Sequence, residues 1–288
     1  MSKIAIITDS NSGIKLTEQN EDLYVLPMPF IINGEEYFEE ISLSQEDFYK
    51  KLAENADIST SQPSPFQVKE MWENALKTHD EVVYIPMSSG LSESCHNAIE
   101  FSKEYPNVTV VDNQRISVTQ KDSVYEALKM AHDGYSAAEI KDYLENTKLD
   151  SSIYITVNTL KYLKKGGRIT PAVALIGTIL NIKPILQIHG EKLDSFAKAL
   201  NMSQAKQKMI NAVKKDFETV LKEYYENGEM QIDIAHTNNE EEAMKFKAEI
   251  EKAFPKSKVK FVDPLSLSVS CHIGPGALAI ATTRVTKK

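Results

Sequence analysis

The feature that most restricts the fold is an alternation in the first half of the chain. Short β-branched runs, "KIAIIT" from residue 3, "EVVYIPM" from 81 and "NVTVVD" from 107, are separated by stretches whose apolar residues recur with helical spacing. Strands that follow one another through helices cross over to lie parallel, so the pattern predicts βαβ units and a mostly parallel sheet. Between the first two runs, "LYVLPMPFII", Asn33-Gly34 and "EEYFEE" read as extended chain folded back through a tight hairpin turn, because Asn-Gly tolerates positive φ. Ser44, with Asp47 three residues on, opens a helix over "QEDFYKKLAEN", and Pro65 suits the first turn of another. Helical patterns follow at 93–105, at about 119–133 and at 137–146.

After "SSIYITV" at 151–157 the texture changes, and a boundary is expected near 155, giving an α/β domain over 1–155 and a second over 156–288. The second half reads as a Lys-rich helix, Gly166-Gly167, the apolar run "PAVALIGTIL" and two antiparallel strands turning at His189-Gly190. A long helix is expected from Ser203 to Asn227, then the strand "QIDIAHT", a charged helix and the strand "KVKFVD".

Composition excludes whole classes. Lys+Arg 33 against Asp+Glu 41 leaves a net charge of −8, which disfavours nucleic acid and anionic membranes as partners. "PAVALIGTIL" is far shorter than the roughly 20 residues that cross a bilayer, so no integral membrane segment is expected. "MSKIAIITDS" is unlike a secretory signal, and the expected location is cytoplasmic. Cys95-His96 and Cys271-His272 suggest zinc at first sight. Adjacent residues face apart on a strand and do not share a helix face, so no metal site is expected.

Three hydroxyl-rich loops sit where an α/β sheet holds its ligands, beyond strand ends and before helix starts: "TDSNS" at 8–12, "TSQPSP" at 60–65 and "SSGLS" at 88–92. "MSSGLS" lacks the Gly-x-Ser-x-Gly elbow of a hydrolase, and "TDSNS" lacks the lysine of a phosphate-cradling loop. Asp9 is a nucleophile or metal ligand on one reading, and on the other a carboxylate that orders the turn after its strand. Arg168 in "KKGGRI" and His272 in "HIGPGALAI" each read as structural when taken alone.

Taken together, "TDS", "TSQPSP", "SSGLS", "VVD" at 110–112, "KGGRI", "NIKPIL" and "HIGPGALAI" resemble, over nearly the full length, the DegV family of bacterial fatty-acid-binding proteins, the lipid-carrying partners of fatty acid kinase. The resemblance implies two α/β domains, a parallel sheet first and a mainly antiparallel sheet with helices second, with one long-chain fatty acid buried between them. It assigns the fatty acid carboxylate to Thr60 and Ser92, and sets Arg168, His272 and Ser61 near the same end, facing the kinase. It implies a carrier that is not itself an enzyme, needs no cofactor, and delivers its lipid to a separate ATP-dependent fatty acid kinase. Lys161, Lys164, Lys165 and Arg168 read either as a solvated helix face, the usual meaning of a lysine run, or as a basic face for docking that kinase. This chain departs from the family's "SSGLSGT" by placing Glu93 and Ser94 after Ser92.

The physics of such a ligand agrees with the motif chemistry. Hydroxyl donors and a helix N-terminus can replace the water lost by a buried carboxylate. A tail of about 16 carbons gains on the order of 10 kcal/mol before ordering costs, and "PAVALIGTIL" suits part of its wall. The rival readings are a hydrolase or phosphotransferase using Ser92 or Asp9 with His272 as base, and a regulatory module sensing a small acidic metabolite.

Overall fold

"IAIITD" forms strand β1 (Ile4–Asp9), with all six residues buried, as expected of a strand covered on both faces. The chain continues through β2 (Leu23–Leu26), β3 (Pro29–Ile32), β4 (Glu35–Phe38), α1 (Gln45–Ala53), β5 (Ile58–Thr60), α2 (Pro65–Leu76) and β6 (Glu81–Ile85). α3 (Ser94–Ser102), β7 (Val108–Val110), α4 (Val118–His132) and α5 (Ala137–Asn146) follow. β2, β1, β6 and β7 lie side by side in that order, every neighbouring pair parallel. Because successive side chains point to opposite faces, Ile4, Ile6, Val83 and Ile85 pack under α4 and α5, while Ala5, Ile7, Val82 and Tyr84 pack under α2 and α3. The computed structural model describes residues 2–174, 182–190 and 192–286.

The hairpin forms as its sequence requires: Asn33 and Gly34 take φ of 52° and 86°, the two positive values of the tight turn that matches strand twist. β4, β3 and β5 make a separate three-stranded antiparallel sheet. Ser44 Oγ accepts the Asp47 N–H at the start of α1, and Ser64 and Gln67 form a reciprocal capping box at the start of α2, with Pro65 in the first turn.

These elements belong to a first unit, Met1–Lys148 with Ser266–Ser268; the second comprises Leu149–Leu265 and Val269–Lys288. The strand that carries the boundary expected near 155, β8 (Ser151–Thr156), groups with the second unit. Then come α6 (Lys161–Gly166), α7 (Pro171–Ala174), β9 (Lys183–Ile188), β10 (Asp194–Ala199), α8 (Met202–Glu218), α9 (Lys222–Glu226) and β11 (Met230–His236). α10 (Glu240–Ala253), β12 (Val259–Pro264) and β13 (Leu278–Arg284) complete it, with α11 (Leu267–Ile273) from Val269 onward, its first two residues being counted in the first unit. Six strands in the order β10-β9-β8-β13-β11-β12 are antiparallel at every pairing except β11 with β12. α8 and α10 bury one face, against Tyr154, Ile185, Ile232, Ile234 and Ile280.

Two expectations need correction. The helix expected over 203–227 is interrupted at Thr219, whose ψ of −98° leaves the helical range and starts a separate short α9. α11 has no forerunner in the sequence reading, since "LSLSVSCHI" alternates apolar and small polar residues like a strand. Residues 175–180 of the expected tail wall at 171–180 lie outside the described residues. Among the described residues no helix is long and apolar enough to cross a membrane.

Candidate functional site

In the first unit, the loops leaving β1 and β6 are fastened to each other. Asp9 is fully buried, with one carboxylate oxygen accepting the Met87 N–H at 2.8 Å and the other accepting the Asn11 N–H at 3.0 Å and the Gln120 amide at 3.3 Å. Burial pushes its carboxyl up to about 6, against donors that pull it down. A carboxylate so enclosed orders the loops and is poorly placed to be a nucleophile. Beyond Met87, Ser88 donates its N–H to the Arg115 carbonyl at 2.9 Å. Ser89 donates its N–H and hydroxyl to Asp112, at 3.3 and 2.6 Å, so the last residue of "VVD" anchors "SSGLS". Ser92 Oγ accepts the N–H of Ser94, the first residue of α3, at 3.2 Å, while Glu93 between them makes no side-chain cap bond.

Thr60 ends β5, opposite Phe30, and both it and Ser61 are half-buried. "TSQPSP" leads into α2, before Phe66 as the sequence suggests, and the strand it leaves belongs to the antiparallel sheet, because "IST" pairs with β3. That loop meets α3, the helix after "SSGLS": Asn97 donates its side-chain amide to Gln62 Oε1 at 2.6 Å. Gln62 lies inside the motif singled out from the sequence, whereas nothing local marked Asn97. Glu93 has its side chain 73% exposed, with a carboxylate oxygen 3.4 Å from His96 Nδ1. The departure from the family pattern is therefore a surface pair.

In the second unit, "KGGRI" and "HIGPG" pack so closely that glycine is required. A Cβ on Gly166 would lie 2.1 Å from His272 Nδ1, and one on Gly274 would lie 2.3 Å from the Tyr162 ring. Gly167, with φ of 71°, is the left-handed residue that ends α6, so the Gly pair is a helix stop and not a flexible hinge. Arg168 follows directly, its guanidinium donating back to the Gly166 carbonyl. Burial first, and the Arg168 charge second, lower His272 to about 4, which keeps its ring neutral at neutral pH. Thr237, which no sequence signal picked out, fixes the turn after His272: its hydroxyl donates to the Gly274 carbonyl at 2.6 Å and accepts the Ala277 N–H at 2.9 Å. On α6, Lys161, Lys164 and Lys165 are exposed.

Thr60, Ser61 and Ser92 thus belong to the first unit, and Arg168 and His272 to the second. Both cysteines are buried free thiols, and burial, with Asp112 next, pushes Cys95 up. Among the described residues, no three His, Cys, Asp or Glu side chains are grouped to hold a metal ion.

A family model described as "Uncharacterised protein, DegV family" matches residues 3–284. The chain belongs to the DegV family. A DegV domain-containing protein of Clostridium perfringens is 31% identical over 298 aligned residues, covering 100% of both chains. Among solved structures, a fatty acid binding DegV family protein from Streptococcus agalactiae superposes with a TM-score of 0.88 at 28% identity, covering 99% of this chain and 100% of its own. DegV of Bacillus subtilis, described as a fatty acid binding protein, gives 0.83 at 27% identity over 99% of this chain and 100% of its own. Against these DegV folds, the parallel first sheet and mainly antiparallel second sheet expected from the sequence are the observed ones.

Proposed function

We propose that this DegV protein binds a long-chain fatty acid, its carboxylate hydrogen-bonded by Thr60 and Ser92, and presents that carboxylate to an ATP-dependent fatty acid kinase. The observation that carries the reading is the Asn97–Gln62 hydrogen bond, which holds the Thr60 loop against the helix that begins two residues after Ser92. A hydroxyl at the end of β5 and another just before α3 supply donors, and the helix start a favourable dipole, to a carboxylate without a buried cation. The DegV relatives described as fatty acid binding supply the ligand class. The carrier itself makes no covalent bond. The kinase transfers the terminal phosphoryl group of ATP to a carboxylate oxygen, leaving ADP and an acyl phosphate. Arg168, His272 and Ser61 act near that end, the lysines of α6 dock the kinase, and the exchange takes place in the cytoplasm.

Native mass spectrometry of the purified protein, with extraction of the bound lipid, tests the reading; it expects one fatty acid per chain. Thr60→Ala and Ser92→Ala should each weaken binding by about 1–3 kcal/mol, as for hydrogen bonds to a charged group. Ser92→Ala also removes the acceptor of the Ser94 N–H at the start of α3, so unfolding of the lipid-free variant is measured beside it. Unchanged affinity in both variants refutes the carboxylate assignment. Lipid-free protein whose ester or phosphate turnover is lost in Ser92→Ala refutes the carrier.

A further inference from the structure

Asp9 and Met87 stand 78 residues apart, yet one hydrogen bond joins them immediately before Ser88 opens the loop that ends in Ser92. A second strap runs beside it, from the Asn11 side-chain amide to the Met87 sulfur at 2.9 Å. Met87 has no helix or sheet to set its course, so these contacts from the β1 loop determine where the "SSGLS" backbone starts. The Asp9 carboxylate accepts N–H donors from three elements: its own loop, the β6 loop and α4. Among the described residues no cation pairs with it.

We propose that Asp9 is a positioning residue for the Ser92 loop, its ionised carboxylate holding Met87 so that the Ser92 hydroxyl is set for the head group of the bound acid. This rests on the reading of Ser92 as a carboxylate ligand. Protonation puts a hydrogen on an oxygen that now accepts an N–H, and it weakens the other acceptor because the bonds lose their charge assistance. The loop is then held less tightly, and the acid is released more readily. With the Asp9 carboxyl raised to about 6, that change falls within mild acidification. The titratable groups facing Asp9 do not share it: burial raises both the Tyr84 phenol of β6 and the Cys95 thiol of α3, which stay neutral throughout. α4 presents the uncharged Gln120, and Asp112 lies beyond Cys95, bound to Ser89.

The test titrates delipidated full-length protein with the fluorescent long-chain acid cis-parinaric acid, from about pH 7.5 to about pH 5, for the wild type and Asp9→Asn. The ratio of the two dissociation constants cancels the titration of the acid itself. It should be about tenfold at the upper end, the worth of one charge-assisted hydrogen bond, and approach one at the lower end. A ratio that does not change with pH overturns the proposal, since a merely structural role moves affinity equally at all pH. Gln120→Met is the second variant: it removes a donor to the ionised carboxylate and should move the wild-type profile to higher pH. An unmoved profile also overturns the proposal. If the wild type binds no fatty acid at any pH, the fatty-acid reading fails. Amide exchange at Met87 in the lipid-free protein then decides on Asp9 alone, with protection expected to fall about tenfold across the same range and constant protection counting against it.

Discussion

Replacing Gly166 by alanine perturbs the second unit at one well-defined place. Gly166 adopts a backbone conformation open to other residues, so the cost comes from packing alone. The added methyl would sit 2.1 Å from His272 Nδ1, and ordinary contact begins near 3.4 Å, so the imidazole must retreat by more than an ångström. Overpacking of this kind costs about 1–3 kcal/mol, and the better helix propensity of alanine returns about 0.5–1, leaving a net loss of about 1–2 kcal/mol. The retreat also lifts His272 toward water. Its depressed value of about 4, caused first by burial, should climb toward the ordinary histidine range. Chemical denaturation measures the first effect, and an NMR titration of the histidine ring protons the second. A double-mutant cycle separates them from general damage: in a His272→Ala background, Gly166→Ala should stop costing stability and gain a few tenths of a kcal/mol. A variant as stable as wild type, with an unshifted His272 titration, refutes the packing argument. A Gly166→Ala cost that persists in the His272→Ala background refutes it equally.

Other outcomes follow from single contacts. Ser64→Ala removes the half of the capping box in which Ser64 Oγ accepts the Gln67 N–H, leaving the backbone N–H of residue 64 on Gln67, and should cost about 1 kcal/mol in denaturant unfolding; no loss means that the cap is replaced by water. Arg168→Ala should slow kinase-dependent phosphorylation of the bound acid by a larger factor than it weakens lipid binding, and equal losses would assign Arg168 to the carboxylate site itself. The carboxyl of Asp22 lies below its ordinary value because hydrogen bonds from His79 and His132 outweigh the opposing effect of burial. A depressed folded value means that the ionised form stabilises the fold above the unfolded carboxylate range, and this is lost as pH falls through the folded value. Asp22→Asn should flatten that acid limb of the stability curve, and a limb parallel to wild type refutes the linkage.

What was legible in the sequence follows the range of the forces involved. Asn33-Gly34, the Ser44 cap and the Pro65 helix start are set by residues within four positions of each other, and each appears as read. The strands of the parallel sheet were legible because burial on both faces leaves continuous apolar runs. α11 was not, since its small polar residues satisfy either periodicity and its helical form depends on where the rest of the chain ends up. Nor was the sheet that holds Thr60, because a three-residue strand takes its partner from the hairpin and carries no choice of its own. Within the site, the hydroxyl residues were visible as residue types at loop positions. Their supports, Asp9 on Met87, Asp112 on Ser89 and Asn97 on Gln62, span 78, 23 and 35 residues and leave no local trace.

Gly166 has one more consequence, which concerns how the family can diverge. Its backbone admits any residue, so what keeps it a glycine is the ring across from it. Drift at 166 is therefore gated by drift at 272: a descendant that trades His272 for something small is at once free to fill 166, and once 166 is filled the way back to histidine is closed. A side chain at 166 in a related chain would be a record that the histidine there had already gone.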